Sequence, residues 1–298
     1  MKTQPFGARL GSAILVSLAL ACERGDSPAA PVASSATAAS RINPFSPHVG
    51  LSAGAEHDEQ TGCTLASLIG TYGVQRMGST TQGRLTAVGI TTFDGQGNSL
   101  ATETISRNGV VSVAQSPSAY TVAPDCTGTL TVNGAIVAHL LIVHQGTGVL
   151  GMSLTPGDNV SSHYERVVDR PDDAGCTNAS LTGTYGFQRM GQNPQGPVTA
   201  LGIGTFDGQG SDVASQTTSR SGVFSDQQPF VSFYTVNPDC TGTVILNGSA
   251  FAYFVIVHGG SEVLGMALNP GLNVAVHYER LVDPPGTGPR ERGNPGAR

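Results

Sequence analysis

The chain reads as an all-β protein built from two tandem antiparallel meander β-barrels of about eight strands each. Three observations carry that expectation. The segment from Cys63 to Asp169 recurs from Cys176 to Asp283, with LIGTYGVQRMG answering LTGTYGFQRMG, ITTFDGQG answering IGTFDGQG and HYERVVD answering HYERLVD, so one fold occurs twice. Within each copy, short Thr- and Val-rich runs alternate with Gly-centred turns, and no stretch has the 3.6-residue periodicity of an amphipathic helix. The composition agrees, since 40 Gly, no Trp and only 12% charged residues suit strands joined by tight turns. A sandwich of two sheets is the alternative arrangement of the same strands.

Taken in order, the runs of the first copy predict strands near 69–78, 84–93, 98–107, 110–115, 118–123, 127–133, 137–144, 148–154 and 159–168, the short fourth being able to merge with its neighbour. Between them lie Asp94-Gly95-Gln96-Gly97, Asn108-Gly109, Asn133-Gly134, Gln145-Gly146 and Pro156-Gly157, pairs that tolerate the positive φ of hairpin turns. Consecutive hairpins make a meander, and eight meandering strands close most simply into a barrel. Segments 79–84 and 113–119 differ most from their counterparts and are expected to be loops that distinguish the copies.

Residues 1–21 read as an export signal: Lys2 and Arg9 precede an apolar run from Ala13 to Ala21 that is too short to span a bilayer. Residues 22–62 form an Ala/Ser/Pro-rich tether with too little apolar bulk to fold. A flexible chain of about 40 residues reaches roughly 35 Å. The barrels occupy 63–169 and 176–283, separated by a very short linker, and 284–298 is a Pro/Gly-rich tail. Export permits disulfides. Four of the 5 cysteines fall at equivalent places in the copies, and duplication argues for Cys63 with Cys126 and Cys176 with Cys240, because each domain once folded alone; other pairings of the four remain formally open. Cys22 has no counterpart in the repeats.

A net charge of −6 with only 15 Lys plus Arg leaves no basic stripe for nucleic acid. Hydrolase, P-loop and paired-Cys redox signatures are absent. The Asp94–Asn98 turn lacks the carboxylates of a calcium loop, and Gly146–Gly151, although spaced like a dinucleotide fingerprint, joins two strands. No catalytic residue, metal ligand or cofactor is therefore assigned. Strand alternation places Tyr72, Val74 and Arg76 on one face, as it does Tyr185, Phe187 and Arg189. If that face is interior, an Arg sits inside each barrel and needs a partner, for which Glu165 and Glu279 in the last strand are candidates. His144 and His258 end apolar strands, while His163 and His277 open HYER. The candidate ligand-binding set is thus Tyr72, Arg76, His144 and Glu165, with Tyr185, Arg189, His258 and Glu279 in the second copy.

The ending Leu18-Ala19-Leu20-Ala21-Cys22 resembles a bacterial lipoprotein signal, which implies lipidation of Cys22 and a membrane partner through it. Ala19-Leu20-Ala21 also suits an ordinary signal peptidase, which would leave a soluble exported protein. The strings GTYGFQRMG, TFDGQG and YTVNPDCTGT resemble a group of exported bacterial repeat domains of unassigned function. The architecture is similar, more distantly, to lipocalin-like and allene-oxide-cyclase-like small barrels, a likeness that carries no site residue. The resulting expectation is a tethered, non-enzymatic binding module for a small apolar or amphiphilic ligand. A structural envelope protein with filled barrels and a small-barrel isomerase using Tyr72, Arg76 and Glu165 are the alternatives.

Overall fold

The computed structural model describes residues 62–167 and 175–281. The leader, Cys22, the tether up to residue 61, the linker and the tail lie outside the described residues.

The first copy folds into β1 (Ile69–Thr80), β2 (Gly83–Asp94), β3 (Asn98–Arg107), β4 (Val110–Val122), β5 (Thr127–Val132), β6 (Ala135–Val143), β7 (Gly148–Ser153) and β8 (Asn159–Arg166). The second repeats the plan with β9 (Thr182–Asn193), β10 (Gly196–Asp207), β11 (Ser211–Arg220), β12 (Val223–Val236), β13 (Thr241–Leu246), β14 (Ser249–Val257), β15 (Glu262–Ala267) and β16 (Asn273–Arg280). Each strand pairs antiparallel with the next, β1 closes on β8 and β9 closes on β16, so both copies are closed barrels, not sandwiches. The Asn-Gly turns behave as their chemistry dictates: Asn108 and Gly109 take φ of 49° and 80° between β3 and β4.

One expected loop is a strand. The 113–119 segment lies inside β4, which runs unbroken from Val110 to Val122 because it pairs with β3 along almost its whole length. Only Ala119–Val122 pairs with β5. The upper half of β4 therefore has edge character, which accommodates Pro117.

One end of each barrel is sealed by the chain itself. A 3-10 turn at Leu65–Ser67 crosses the end of the first barrel, where Tyr120 Oη donates to the carbonyls of Leu65 and Leu68 at 3.1 and 2.9 Å. Tyr72 Oη donates to the Gly146 carbonyl, and Arg166 donates to Tyr72 Oη at 2.8 Å. Phe93 packs edge-on between Tyr72 and Tyr120, and Leu68 is fully buried beneath them. The Cys63–Cys126 disulfide anchors this floor, and Cys176–Cys240 anchors the equivalent floor of Tyr185, Phe206 and Tyr234. These are the pairings that duplication favoured. Closing loops of 63 and 64 residues stabilises each barrel by roughly 4 kcal/mol in the chain-entropy model.

Both barrels belong to one compact unit. The outer face of β1–β2 packs against the outer face of β14–β16, burying Val88 in one cluster with Val255, Val257, Leu264 and Met266. Gln75 Nε2 reaches across to the carbonyls of Gly265 and Val276, both at 3.0 Å. Gly73 permits this approach, because a Cβ there would lie 2.5 Å from Val257 Cγ1 and 2.9 Å from Val255 Cγ1.

Gly73→Ala is therefore expected to lower the unfolding free energy by about 1–3 kcal/mol. The equivalent Gly186→Ala, which meets only the exposed Leu281 side chain at 3.1 Å, should change it by less than about 0.5 kcal/mol. Urea unfolding of both variants at low protein concentration checks the contrast.

Candidate functional site

Because the floor fills one end, the free interior of each barrel lies toward the opposite end, where β1–β2, β3–β4, β5–β6 and β7–β8 and their counterparts turn. The first barrel holds a cavity of about 220 Å³ and the second one of about 190 Å³. Both are formed by the inward members of each alternating strand, yet their chemistry has diverged. Glu103, Ser116, Ser153, Asp158 and Ser162 line the first. Gln216, Phe230, Ala267, Leu272 and Val276 stand at the corresponding places of the second.

In the first cavity Arg76 bonds Glu103 Oε2 on β3 at 3.0 Å. Burial works against the Arg76 charge, but Glu103 outweighs it and raises the guanidinium pKa. The partner is thus Glu103 and not Glu165. The reason is the pleat of β8: Tyr164 and Arg166 point inward to the aromatic floor, so His163 and Glu165 point outward. The other carboxylate oxygen, Glu103 Oε1, is buried and accepts no bond among the described residues.

In the second cavity Arg189 keeps its inward position but loses that carboxylate. Gln216 replaces Glu103 and donates its amide to Gln227 at 2.5 Å. The Arg189 guanidinium instead lies over the rings of Phe187 and Phe251, 5.1 and 5.6 Å from their centroids. Among the described residues it has no ion pair. Asp212, at the place of Ser99, lines the same cavity and accepts from the Ser232 hydroxyl. Burial raises its pKa, with that hydrogen bond and the nearby Arg189 charge pulling the other way.

Of the residues singled out from the sequence, only Arg76 and Arg189 line cavities. Tyr72 and Tyr185 belong to the floor, where burial raises their phenol pKa values against the lowering effect of Arg166 and Arg280. His144 and Glu279 are exposed on the outside. Tyr72, Arg76 and Glu165 do not converge. Glu103, Asp212 and Phe230 were missed, although the alternation of β3 from Ala101 through Glu103 to Ile105 does carry a carboxylate onto an otherwise apolar face.

Glu165 and His258 meet elsewhere, at the seam between the barrels. Glu165 Oε1 is 2.5 Å from His163 Nε2 and its Oε2 is 2.7 Å from His258 Nε2. His258 Nε2 also lies 3.6 Å from Glu262, which in turn bonds His277. Burial opposes ionisation of Glu165, but the two imidazoles prevail and hold its carboxyl at about 2. An ionised carboxylate only accepts, so both Nε2 atoms carry the donated proton. The hydrogen bond to Glu262 outweighs burial and raises the His277 pKa.

No protein-family model matches the chain, and no curated protein matches it, so the resemblance to exported repeat domains rests on the quoted motifs. Among solved structures, kievitone hydratase from Nectria haematococca aligns with 73% of this chain and 92% of its own, at 8% identity and a TM-score of 0.24. A likeness of that extent carries no argument about activity.

The seam predicts a pH signature. The folded pKa of Glu165 is depressed from 4.5 to about 2, so its contribution is present above 4.5 and is lost as pH falls toward 2. That of His277 is raised above 6.5, so its contribution is present below 6.5 and is lost as pH rises through the folded value. Glu165→Gln should lower the unfolding free energy at pH 5.5 by roughly 1–3 kcal/mol, the lower end allowing for solvent screening. The deficit should shrink as the wild type is titrated toward pH 2, a trend that chemical unfolding at several pH values measures.

Proposed function

We propose that the protein is a non-enzymatic binding module of an oxidising, extracytoplasmic compartment, and that its second barrel holds a small, largely apolar molecule through an anionic end. The observation that carries this reading is Arg189. It is a cation directed into a cavity lined by Phe206, Phe230, Phe251 and Val276, and no carboxylate lies within ion-pairing distance among the described residues. A ligand carboxylate or similar anion would supply the missing charge, and the phenylalanines would shelter the remainder. An apolar cavity of about 150 Å³ admits benzene, so about 190 Å³ suits a single-ring or short-chain acid. The first barrel is less suited to an anion, because Glu103 already neutralises Arg76.

The two disulfides fit an oxidising compartment, and among the described residues no helix is long and apolar enough to cross a membrane. On this reading Cys22 carries a lipid anchor and residues 23–62 hold the barrels off the surface, an assignment that rests on the sequence of the leader.

One observation favours a second reading, catalysis. Asp212 is a buried carboxyl with a raised pKa on the wall of the same cavity, the setting of a general acid or base. In an enzyme Asp212→Asn would abolish turnover while leaving ligand affinity nearly unchanged.

Calorimetric titration with benzoate and hexanoate tests the binding reading, supported by native mass spectrometry of the protein as purified from its source. Arg189→Met should weaken binding of these acids about 10- to 100-fold and leave the neutral benzyl alcohol within about threefold. A wild-type protein that binds neither acid at millimolar concentration, or a variant that binds them unchanged, would remove it.

A further inference from the structure

The seam within the chain joins two different surfaces, the β1–β2 face of the first barrel and the β14–β16 face of the second. Since the barrels are copies, each also carries the half that the other uses. The first barrel has an unpaired β6–β8 face, and the second has an unpaired β9–β10 face.

The correspondence holds residue by residue. Val88, 0% exposed in the seam, is matched on the second barrel by Leu201, which is 68% exposed, and Ile90 is matched by Ile203 at 51%. Across the seam Leu264 and Met266 are 0% exposed, whereas their equivalents on the first barrel, Leu150 and Met152, are 45% and 56% exposed. The inner walls of the barrels exchanged polar for apolar residues, yet these outward positions are apolar in both copies although water covers them in one. The polar key recurs as well. Gln188 stands where Gln75 does, and Gly151 and Ser162 present the backbone positions of its acceptors Gly265 and Val276. Gly186 repeats Gly73, the residue whose missing side chain permits close approach. Glu279 and His144, both exposed, repeat the Glu165–His258 contact that crosses the seam.

We infer that a second copy of this chain occupies these faces: the β9–β10 face of one molecule docks on the β6–β8 face of the next, repeating between chains the seam that each chain makes within itself. The occupant follows from the surfaces, because the structure already contains each face bound to a copy of its complement. The contact is heterologous, so it closes into a ring or continues as a chain of barrels according to the rotation at each step. Glu279 of one molecule then meets His144 of the next, which gives two residues of the original ligand-binding set a place in the assembly. The inference is independent of what the cavities hold.

Sedimentation velocity of the full chain between about 1 and 200 µM tests it, using Leu201→Glu and Met152→Glu. Both side chains are exposed within the molecule, and a circular-dichroism melt confirms folding, with Ile203→Glu in reserve for the first variant. The wild type is expected to associate with rising concentration, and each variant alone to stay monomeric throughout that range. Mixing the two variants should restore a one-to-one pair, since each keeps the face the other has lost. A wild type that is monomeric throughout, association that survives in both variants, or a mixture that fails to pair would overturn the inference.

Discussion

An eight-stranded barrel has two ends, and the end that is sealed decides where everything else can lie. Here the seal is the bond from Tyr120 Oη to the carbonyls of Leu65 and Leu68, repeated by Tyr234 to those of Asn178 and Leu181. It draws the segment before the first strand across the opening, and the disulfide keeps that segment from leaving. The phenol ring supplies apolar bulk, and its hydroxyl adds a second bond to the Leu65 and Asn178 carbonyls, which already accept from the Leu68 and Leu181 N–H groups, while reaching the carbonyls of Leu68 and Leu181 themselves. With that end filled by aromatic rings, the cavities lie toward the opposite end, where β1 turns into β2 and β9 into β10. The upper part of β4, and likewise of β12, passes beyond the reach of the next strand, so the wall there is not tied to its neighbour.

The pleat then separates two kinds of change. Inward residues meet only their own barrel, and although the aromatic floor is the same in both copies, much of the cavity wall above it has diverged, with Glu103 becoming Gln216 and Ser116 becoming Phe230. One substitution, carboxylate to amide, removes the counter-charge of a half-buried Arg without removing the Arg. Cation–π contacts with Phe187 and Phe251 take over part of that duty, and the remaining electrostatic demand makes the second cavity the better anion site. Two barrels with nearly the same strands thus present different interiors to the same solvent.

Outward residues answer to a different constraint. The barrels approach through a glycine and hold register with one glutamine amide bonded to two carbonyls. Side-chain packing around Val88 supplies the apolar area, while the Glu165 carboxylate between two imidazoles adds a charged closure at the edge of the seam. A buried carboxylate is tolerated there because both of its oxygens are donated to. This arrangement makes the docking of the barrels respond to pH, whereas the cavities themselves are set by packing.

The amino-acid sequence alone determined the duplication, the all-β class and the order of the strands, and it favoured the disulfide pairing that the structure then settled. These depend on local chemistry, such as Asn108-Gly109 accepting positive φ, or on a repeat that can be read by eye. It also placed Tyr72 and Arg76 on one face, since side chains alternate along any strand. The tertiary structure decided what each face meets. Strand β8 enters the closure with Tyr164 inward, so Glu165 lies outside and Arg76 finds Glu103 on a strand that pairs with neither β1 nor β8. Nor could periodicity reveal that one outer face of each barrel is covered and the other bare, because the copies carry nearly the same residues on both. Which face is buried is a property of how two closed surfaces dock, and docking depends on the summed shape of several strands, which no single stretch of sequence contains.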